Sequence, residues 1–408
     1  MKTALVVQNF PPEFLGGTEQ VVAALAKALK KQGAEPCIIC GSEDYAEGGA
    51  LHSESYEDLE VHRLLRDPKE QYGLDLTHAI TAPRFTDLLL DLGVEVLHLH
   101  HWWTLGHDLV RRARALGLVT GITLHDLWTS CPRFFRRPIH GVRCPQNHDH
   151  QACVDCLLPQ IPQLSHEGVW ERLQYRDQQL MSEFRAAGFI AAPSEATRNA
   201  ILRHTDWEGE LAVVPHGLLY PVQEPVRPRG PDDPIRVGSF GNLVPEKGYD
   251  QVLEAVAGFG EELELRFSGH APDPAYVERL MNRAKEIGVH LLWTGPYGPE
   301  DPHPARELDL AVFPSLCQES YGLVVDEALA HGVPVVVSSR GALPERAARG
   351  GVILRSGGIG PLRVALSRLL RSRRELASLR EDIPQSFPSI DDAAEQYFKL
   401  YELAGRDS

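Results

Sequence analysis

No stretch of this 408-residue chain approaches the roughly 18 to 20 consecutive apolar residues that a bilayer-spanning helix requires. The opening "MKTALVV" has a lysine and a short apolar run, but Gln8, Asn9 and Pro11 interrupt it before a signal-peptide core can form. It reads instead as a first buried strand. Positive charge is also short: 41 Lys and Arg face 56 Asp and Glu, for a formal charge of −15. This argues against nucleic acid as the main partner, because neutralising phosphates takes concentrated Lys and Arg, although a local basic patch is compatible with it. Cysteine is scarce, and seven in this length make no disulfide scaffold. Cys37, Cys40 and Cys317 sit in or beside apolar runs as buried thiols. The expected location is the cytoplasm, with any membrane contact peripheral and at the inner face.

What is present is the composition of a folded protein, 43% hydrophobic and 24% charged, in a chain long enough for two large domains. Short apolar runs, each followed by a helical pattern, recur throughout. They are "TALVVQ", "EPCIIC", "VEVLHLH", "VTGITLHD", "FIAAPS" and "LAVVPHG", then "IRVGSFG", "ELELRFSG", "HLLWTG", "DLAVFPS" and "VPVVVSS". Runs so short and so rich in Val, Ile and Leu suit strands buried on both faces, the pattern of parallel sheets covered by helices. The fold class is α/β. Between the two groups, "YPVQEPVRPRGPDDP" repeats proline where neither helix nor central strand can continue. The expected organisation is a Rossmann-like domain over 1–220, a linker over 221–234, a second Rossmann-like domain over 235–385 and a closing helix over 386–408. Two such doubly wound sheets would face each other across a cleft, with ligands at their strand C-termini. The closing "DDAAEQYFKLYELAG" puts Ala394, Tyr397, Phe398 and Tyr401 on one apolar stripe.

"ESYGLVVDE" sets Glu319 and Glu327 eight positions apart. On one continuous helix they would be separated by about 12 Å, beyond the roughly 5 to 9.5 Å of paired glycosidase carboxylates. Gly322 permits a sharp turn and "LVVDEALAHG" reads as a helix ending at Gly332, so Glu319 belongs to the preceding loop and Glu327 to the helix. The amides of Tyr321, Gly322 and Leu323 would then face a ligand phosphate, and Glu327 could accept from vicinal ribose hydroxyls. The alternative is that Glu327 only favours the helix N-terminus and Glu319 is a solvated loop residue.

"FPSLCQESYGLVVDEALAHGVPVVVSSRGALPE" resembles the signature of glycosyltransferase family 4, retaining enzymes of the GT-B fold, whose two glutamates are likewise separated by seven residues. "FGNLVPEKGYDQVLEAV" is similar to the family's phosphate-binding strand, loop and helix, with Lys247 at the position that contacts the donor diphosphate. Asn242 stands where the family usually carries Arg. "PPEFLGGTEQVVAALAKAL" resembles the first loop and helix, where Gly16 and Gly17 would let backbone approach the diphosphate or acceptor. As a bare glycine pair they would equally make a tight turn before a helix capped by Thr18. "TLHD" resembles the family's histidine motif, so His125 would face the transferred sugar. "VVPHGL" matches the end of the N-terminal domain, with His216 in place of the usual Asn.

The resemblance implies a hexosyltransferase with catalytic residues His125, Glu319 and Lys247. It implies a donor site of Gly16, Gly17, Asn242, Lys247, Glu319, Ser320, Tyr321, Gly322, Leu323 and Glu327. It further implies retention of configuration, with the departing diphosphate taking the acceptor's proton. The acceptor would be a glycan or a lipid-linked hydroxyl, as in polysaccharide biosynthesis. No Asp-x-Asp occurs in the chain, so no catalytic metal is expected. A nucleotide-sugar epimerase and a non-catalytic nucleotide-sugar-binding module are the competing readings.

The segment "SCPRFFRRPIHGVRCPQNHDHQACVDC", within an insert over about 130–157, holds Cys131, Cys144, Cys153 and Cys156 beside His140, His148 and His150. A loop this poor in apolar residues is commonly tied by a metal, and four thiolates suit a structural zinc or an iron-sulfur cluster. Free thiols or a disulfide pair are the alternative. Arg133, Arg136, Arg137 and Arg143, with Phe134 and Phe135, could meet an anionic or lipid-linked acceptor or form a solvated basic loop.

Overall fold

The computed structural model describes residues 1–70, 74, 78–134, 136–137, 144, 149–223 and 233–406, with only the backbone at 261. Phe135, His140, Arg143, His148 and most of the proline-rich segment lie outside the described residues. The chain divides into two compact units, Met1–Leu219 with Pro388–Ser408, and Tyr220–Phe387.

The first unit contains β1 (Lys2–Val7), β2 (Glu35–Tyr45), β3 (Ala50–Tyr56), β4 (Leu59–Arg66), β5 (Val96–Leu99), β6 (Val119–Thr123), β7 (Phe189–Ala192) and β8 (Ala212–Val213). Their order in the sheet is β3-β4-β2-β1-β5-β6-β7-β8. All pair in parallel except β3 with β4. The central strands are dry on both faces, with Leu5, Val6, Val7, Cys37, Ile38, Ile39 and Cys40 fully buried, which is why their side chains do not alternate with polar ones. The β3–β4 hairpin has no counterpart among the apolar runs read from the sequence. "ALHSESY" is exposed along most of its length, as suits a polar edge strand that discourages further pairing.

The second unit contains β9 (Ile235–Phe240), β10 (Leu263–Ser268), β11 (Leu291–Trp293), β12 (Leu310–Phe313), β13 (Val335–Ser338) and β14 (Gly351–Leu354), ordered β11-β10-β9-β12-β13-β14 and parallel throughout. Among the described residues no helix is long and apolar enough to cross a membrane.

The C-terminal helix, Ile390–Arg406, belongs to the first unit, where it packs on the helix Gly17–Lys31 and on β6. Its buried stripe is Ala393, Ala394, Tyr397, Tyr401 and Ala404. Phe398 is only half-buried, a correction to the expected stripe, because one residue past Tyr397 is a rotation of about 100°. The helix Gly17–Lys31 is capped by Gly16 and not by Thr18. Glu19 reaches back to the Gly16 amide (3.0 Å) and accepts from Gln8 (2.5 Å), so the glycine pair is held as a capping box. A Cβ at Gly16 would lie 2.6 Å from Glu19 Oε2, so a side chain there would push the carboxylate off the cap.

Burial pushes the Glu19 carboxyl from 4.5 up to about 7, the accepted hydrogen bonds opposing and Asp126 adding to the rise. The native state therefore binds more protons at this group than the unfolded chain across that window, and its contribution to stability falls as pH rises through it. Glu19→Gln is expected to remove this dependence. In urea melts, wild type should lose on the order of 3 kcal/mol relative to the variant between about pH 4.5 and about pH 8. Parallel profiles for the two proteins would contradict the assignment.

Candidate active site

In the second unit the strand order turns back between β9 and β12, and open α/β sheets bind ligands outside the strand C-termini at such a point. The loop after β9 carries Asn242 and Lys247, and the loop after β12 carries Ser315 and Glu319. The two loops are tied together by the Leu316 amide donating to the Glu246 carbonyl (2.8 Å). Lys247 Nζ lies 2.7 and 2.9 Å from the two Glu319 oxygens, and Ser315 Oγ donates to the same carboxylate at 2.6 Å.

Withdrawal from water opposes charge on both partners. Their mutual attraction outweighs it, holding the Glu319 carboxyl below its usual range and the Lys247 ammonium above its own. The Glu319 backbone is clamped as well. Ala342 N donates to Glu319 O at 2.8 Å, and Gly341, at φ +57°, passes so close that a Cβ there would meet Glu319 O at 2.0 Å.

Gly322, at φ 89°, turns the chain into the helix Leu323–Ala330. The amides of Gly322 and Leu323 donate to no acceptor among the described residues, as the first turn of a helix leaves them. Tyr321 is turned inward and buried, its hydroxyl donating to Asp326 (2.9 Å), which Arg346 also holds at 2.9 and 2.7 Å. This Tyr321–Asp326–Arg346 cluster fixes the helix mouth. Nothing in the one-dimensional pattern marks it, although Asp326 lies inside the quoted signature and Arg346 follows directly after it. Among the described residues the Glu327 carboxylate, in the next turn, has as ion-pair partner His303 at 3.6 Å, too long for a hydrogen bond, so its oxygens remain able to accept. The Asn242 side chain likewise makes no hydrogen bond among the described residues.

In the first unit, His100 follows β5, His125 follows β6 and His216 follows β8. His100 Nδ1 and His125 Nε2 are 2.7 Å apart, and the His125 ring stacks on His216 at 4.8 Å. His98 extends the array, bonded to Tyr401 OH (2.8 Å) and Thr123 Oγ1 (2.7 Å). The tautomers follow from burial. His100 Nε2 is buried without a partner among the described residues, and an unpaired N–H costs more there than a bare lone pair. The His100 proton therefore sits on Nδ1 and is donated to His125 Nε2, which leaves His125 with its proton on Nδ1. Burial pushes the His125 pKa down to about 3, Asp126 opposing and His101 adding. The ring is neutral at working pH and offers an N–H.

Of the insert's aromatic and basic residues, Phe134 packs on His101 (5.8 Å) and Trp103 (5.3 Å) and is not presented outward. Arg136 donates to Ser130 O (3.1 Å) and Arg133 to Arg137 O (2.5 Å). These guanidiniums serve the loop's own backbone, which the sequence could not reveal.

Residues 15–218, half of the chain, match the family model "Glycosyltransferase Family 4", and residues 223–383 match "Glycosyl transferases group 1". The chain belongs to glycosyltransferase family 4 and is a glycosyltransferase of the GT-B fold. It is 26% identical over 404 residues to a GDP-mannose-dependent alpha-mannosyltransferase of Mycobacterium tuberculosis, covering 96% of this chain and 94% of that one. Its fold is similar to that of sucrose-phosphate synthase from Thermosynechococcus elongatus, with a TM-score of 0.69, 19% identity and 100% of both chains covered. It is also similar to Anabaena HepE in complex with UDP-glucose, with a TM-score of 0.60, 15% identity, and 100% and 98% of the two chains covered.

Nitrogen-15 NMR of the histidine rings should find His100 and His125 as Nδ1–H tautomers, with His125 signals unmoved between about pH 8 and about pH 5. A His125 Nε2–H signal, or a titration midpoint near the ordinary histidine value, would overturn the assignment.

Proposed function

We propose that the protein transfers a hexosyl unit from a nucleoside-diphosphate sugar to a hydroxyl of a glycan or lipid-linked acceptor, with retention of configuration. The observation that carries this reading is the Lys247–Glu319 pair beside the open amides of Gly322 and Leu323, at the point where the second sheet reverses its strand order. A diphosphate bound there would exchange one anionic partner of Lys247 for another. The ammonium and the helix amides then meet the charge that develops on the leaving group.

Glu319, released from the ammonium but still held by Ser315 and by its clamped backbone, would accept from sugar hydroxyls and orient the anomeric carbon. Glu327 would accept from the ribose, and Asn242, Ser320 and the backbone of Tyr321 would line the donor site. Gly16 and Gly17 would lie close to the diphosphate or acceptor. His125, neutral and carrying a proton on Nδ1, would donate to the sugar. In this reading the acceptor attacks from the face that the diphosphate leaves. Its proton passes to the departing diphosphate oxygen, so neither a separate general base nor a catalytic divalent cation is required.

The full-length similarity to a GDP-mannose-dependent enzyme makes GDP-mannose the first donor to assay, ahead of UDP-glucose. Acceptor-dependent release of nucleoside diphosphate with an α-linked product from an α-linked donor is expected. A β-linked product would defeat retention. Isomerised donor would favour the epimerase, and binding without turnover the non-catalytic module.

Lys247→Ala should weaken nucleoside-diphosphate binding by roughly 10- to 100-fold, the worth of one charge-assisted hydrogen bond. Glu319→Gln should bind the nucleotide as well as wild type or better, because Lys247 is freed, while kcat falls by about 100-fold or more. Calorimetry of GDP and UDP with both variants separates these effects, and unchanged affinity in Lys247→Ala would remove the diphosphate assignment.

A further inference from the structure

The insert's Cys131, Cys144, Cys153 and Cys156 are free thiols, and among the described residues no three His, Cys, Asp or Glu side chains are grouped so as to hold a metal ion. The transfer chemistry leaves another group unused, beside Glu327 in the second unit. His303 stands between Pro302 and Pro304. The residue before a proline is held extended, and His303, at φ −64° and ψ 131°, caps the short turn Pro304–Glu307. Its Nδ1 accepts from the Ala305 amide at 3.2 Å. A backbone N–H can only donate, so Nδ1 presents its lone pair and the ring proton is on Nε2. The His303 amide donates to Gln223 Oε1 at 2.9 Å, which fixes the residue from its other side.

The ring is walled on three sides. His331 stacks on it with centroids 4.5 Å apart and planes 8° from parallel, while Phe240 and Tyr297 meet it nearly at right angles at 5.0 and 5.5 Å. The backbone fixes the His331 tautomer too. Its Nδ1 donates to the Glu327 carbonyl at 2.7 Å, and its Nε2 accepts from the Gln223 amide at 3.3 Å. Burial lowers the His331 pKa, its bond to the Glu327 carbonyl opposing. Two neutral rings can stack face to face where two imidazolium ions would repel.

Within these walls His303 Nε2 is buried and has no hydrogen-bond partner among the described residues. A buried N–H with no acceptor is costly. The carboxylate oxygen it meets is Glu327 Oε2, at 3.6 Å, a gap that a small rotation of the Glu327 side chain closes. Hydrogen bonds in active sites are often this long before the ligand arrives.

We propose that His303 is the positioning residue for Glu327: its Nε2–H takes Oε2 and turns the rest of the carboxylate toward the two ribose hydroxyls of the donor nucleotide. The inference rests on the reading of Glu327 as the ribose acceptor. A carboxylate has about four lone-pair sites, so one bond to the ring leaves room for both hydroxyls. A neutral donor orients the group without neutralising the charge that attracts those hydroxyls. The stacked histidines thus grip one residue at both ends, His331 at its carbonyl and His303 at its side chain. The consequence is selectivity for ribonucleotide over deoxyribonucleotide.

Calorimetry with GDP against 2′-deoxy-GDP, and with UDP against 2′-deoxy-UDP, reads the ribose contact as a ratio of affinities on one protein, in which general losses of packing cancel. Wild type should prefer the ribonucleotide by roughly tenfold or more, and Glu327→Ala should abolish the preference. His303→Phe keeps an aromatic ring against His331 without the donor, and should cut the preference to about twofold or less. His303→Gln, whose amide nitrogen reaches the same place, should restore it. Both variants lose the Ala305 cap, so a difference between them belongs to the donor. A preference kept in His303→Phe, or lost alike in His303→Gln, would overturn the proposal and leave Glu327 as the ribose acceptor. No binding or no preference in wild type, or a preference that survives Glu327→Ala, would instead remove that reading of Glu327 and the proposal with it. Should neither His303 variant fold, nitrogen-15 NMR of the wild-type rings decides the matter. His303 should be the Nε2–H tautomer, with its ring proton moving downfield when GDP or UDP binds. An Nδ1–H tautomer, or a ring proton that stays in place, would overturn the proposal.

Discussion

The ion pair between Lys247 and Glu319 is the constraint around which the second unit is arranged. Two loops leave neighbouring strands on either side of the sheet's reversal, and each delivers one charge. The backbone bond between the loops, the serine hydroxyl under the carboxylate and the glycine pressed against Glu319 leave the pair little freedom. Such preorganisation means that a bound anion meets a cation already in position and already stripped of much of its water. The reorganisation cost is taken during folding, not during the reaction. Because the lysine side chain is still 38% exposed, an anion can reach it without unpacking the core.

The first unit solves a different problem by different means. Its candidate group is a line of buried histidines whose low pKa values keep them uncharged, so each ring acts as a fixed donor and acceptor. The direction of each hydrogen bond is set by the next, from the tyrosine hydroxyl through His98 on one side and from His100 to His125 on the other. The second unit thus holds concentrated charge, and the first a set of neutral, oriented rings.

Much of this was legible in the sequence where burial is complete. The β1, β2, β5, β9, β12 and β13 segments announce themselves because strands covered on both faces have no polar alternation. Lys247 and Glu319 stand out because the segments that carry them resemble the motifs of glycosyltransferase family 4. What escaped was whatever depends on contacts between distant segments. The edge hairpin has no apolar run, Gly16 displaced Thr18 as the cap because Glu19 could reach it, and Phe398 lost its place on the stripe by one residue of helical rotation. The cluster of Tyr321, Asp326 and Arg346 is invisible in one dimension because its arginine arrives from after the following strand.

The C-terminal helix has a consequence for synthesis. It supplies Tyr397 and Tyr401 to the interior of the first unit, where their hydroxyls meet Thr123 and His98. A ribosome makes the whole of the second unit before it reaches these tyrosines. The nascent first domain must therefore wait, with one flank of its sheet uncovered, while some 170 later residues emerge and fold. Until then β6 and His98 lack the cover that these tyrosines give them. Docking of residues 390–406 is the event that seals them.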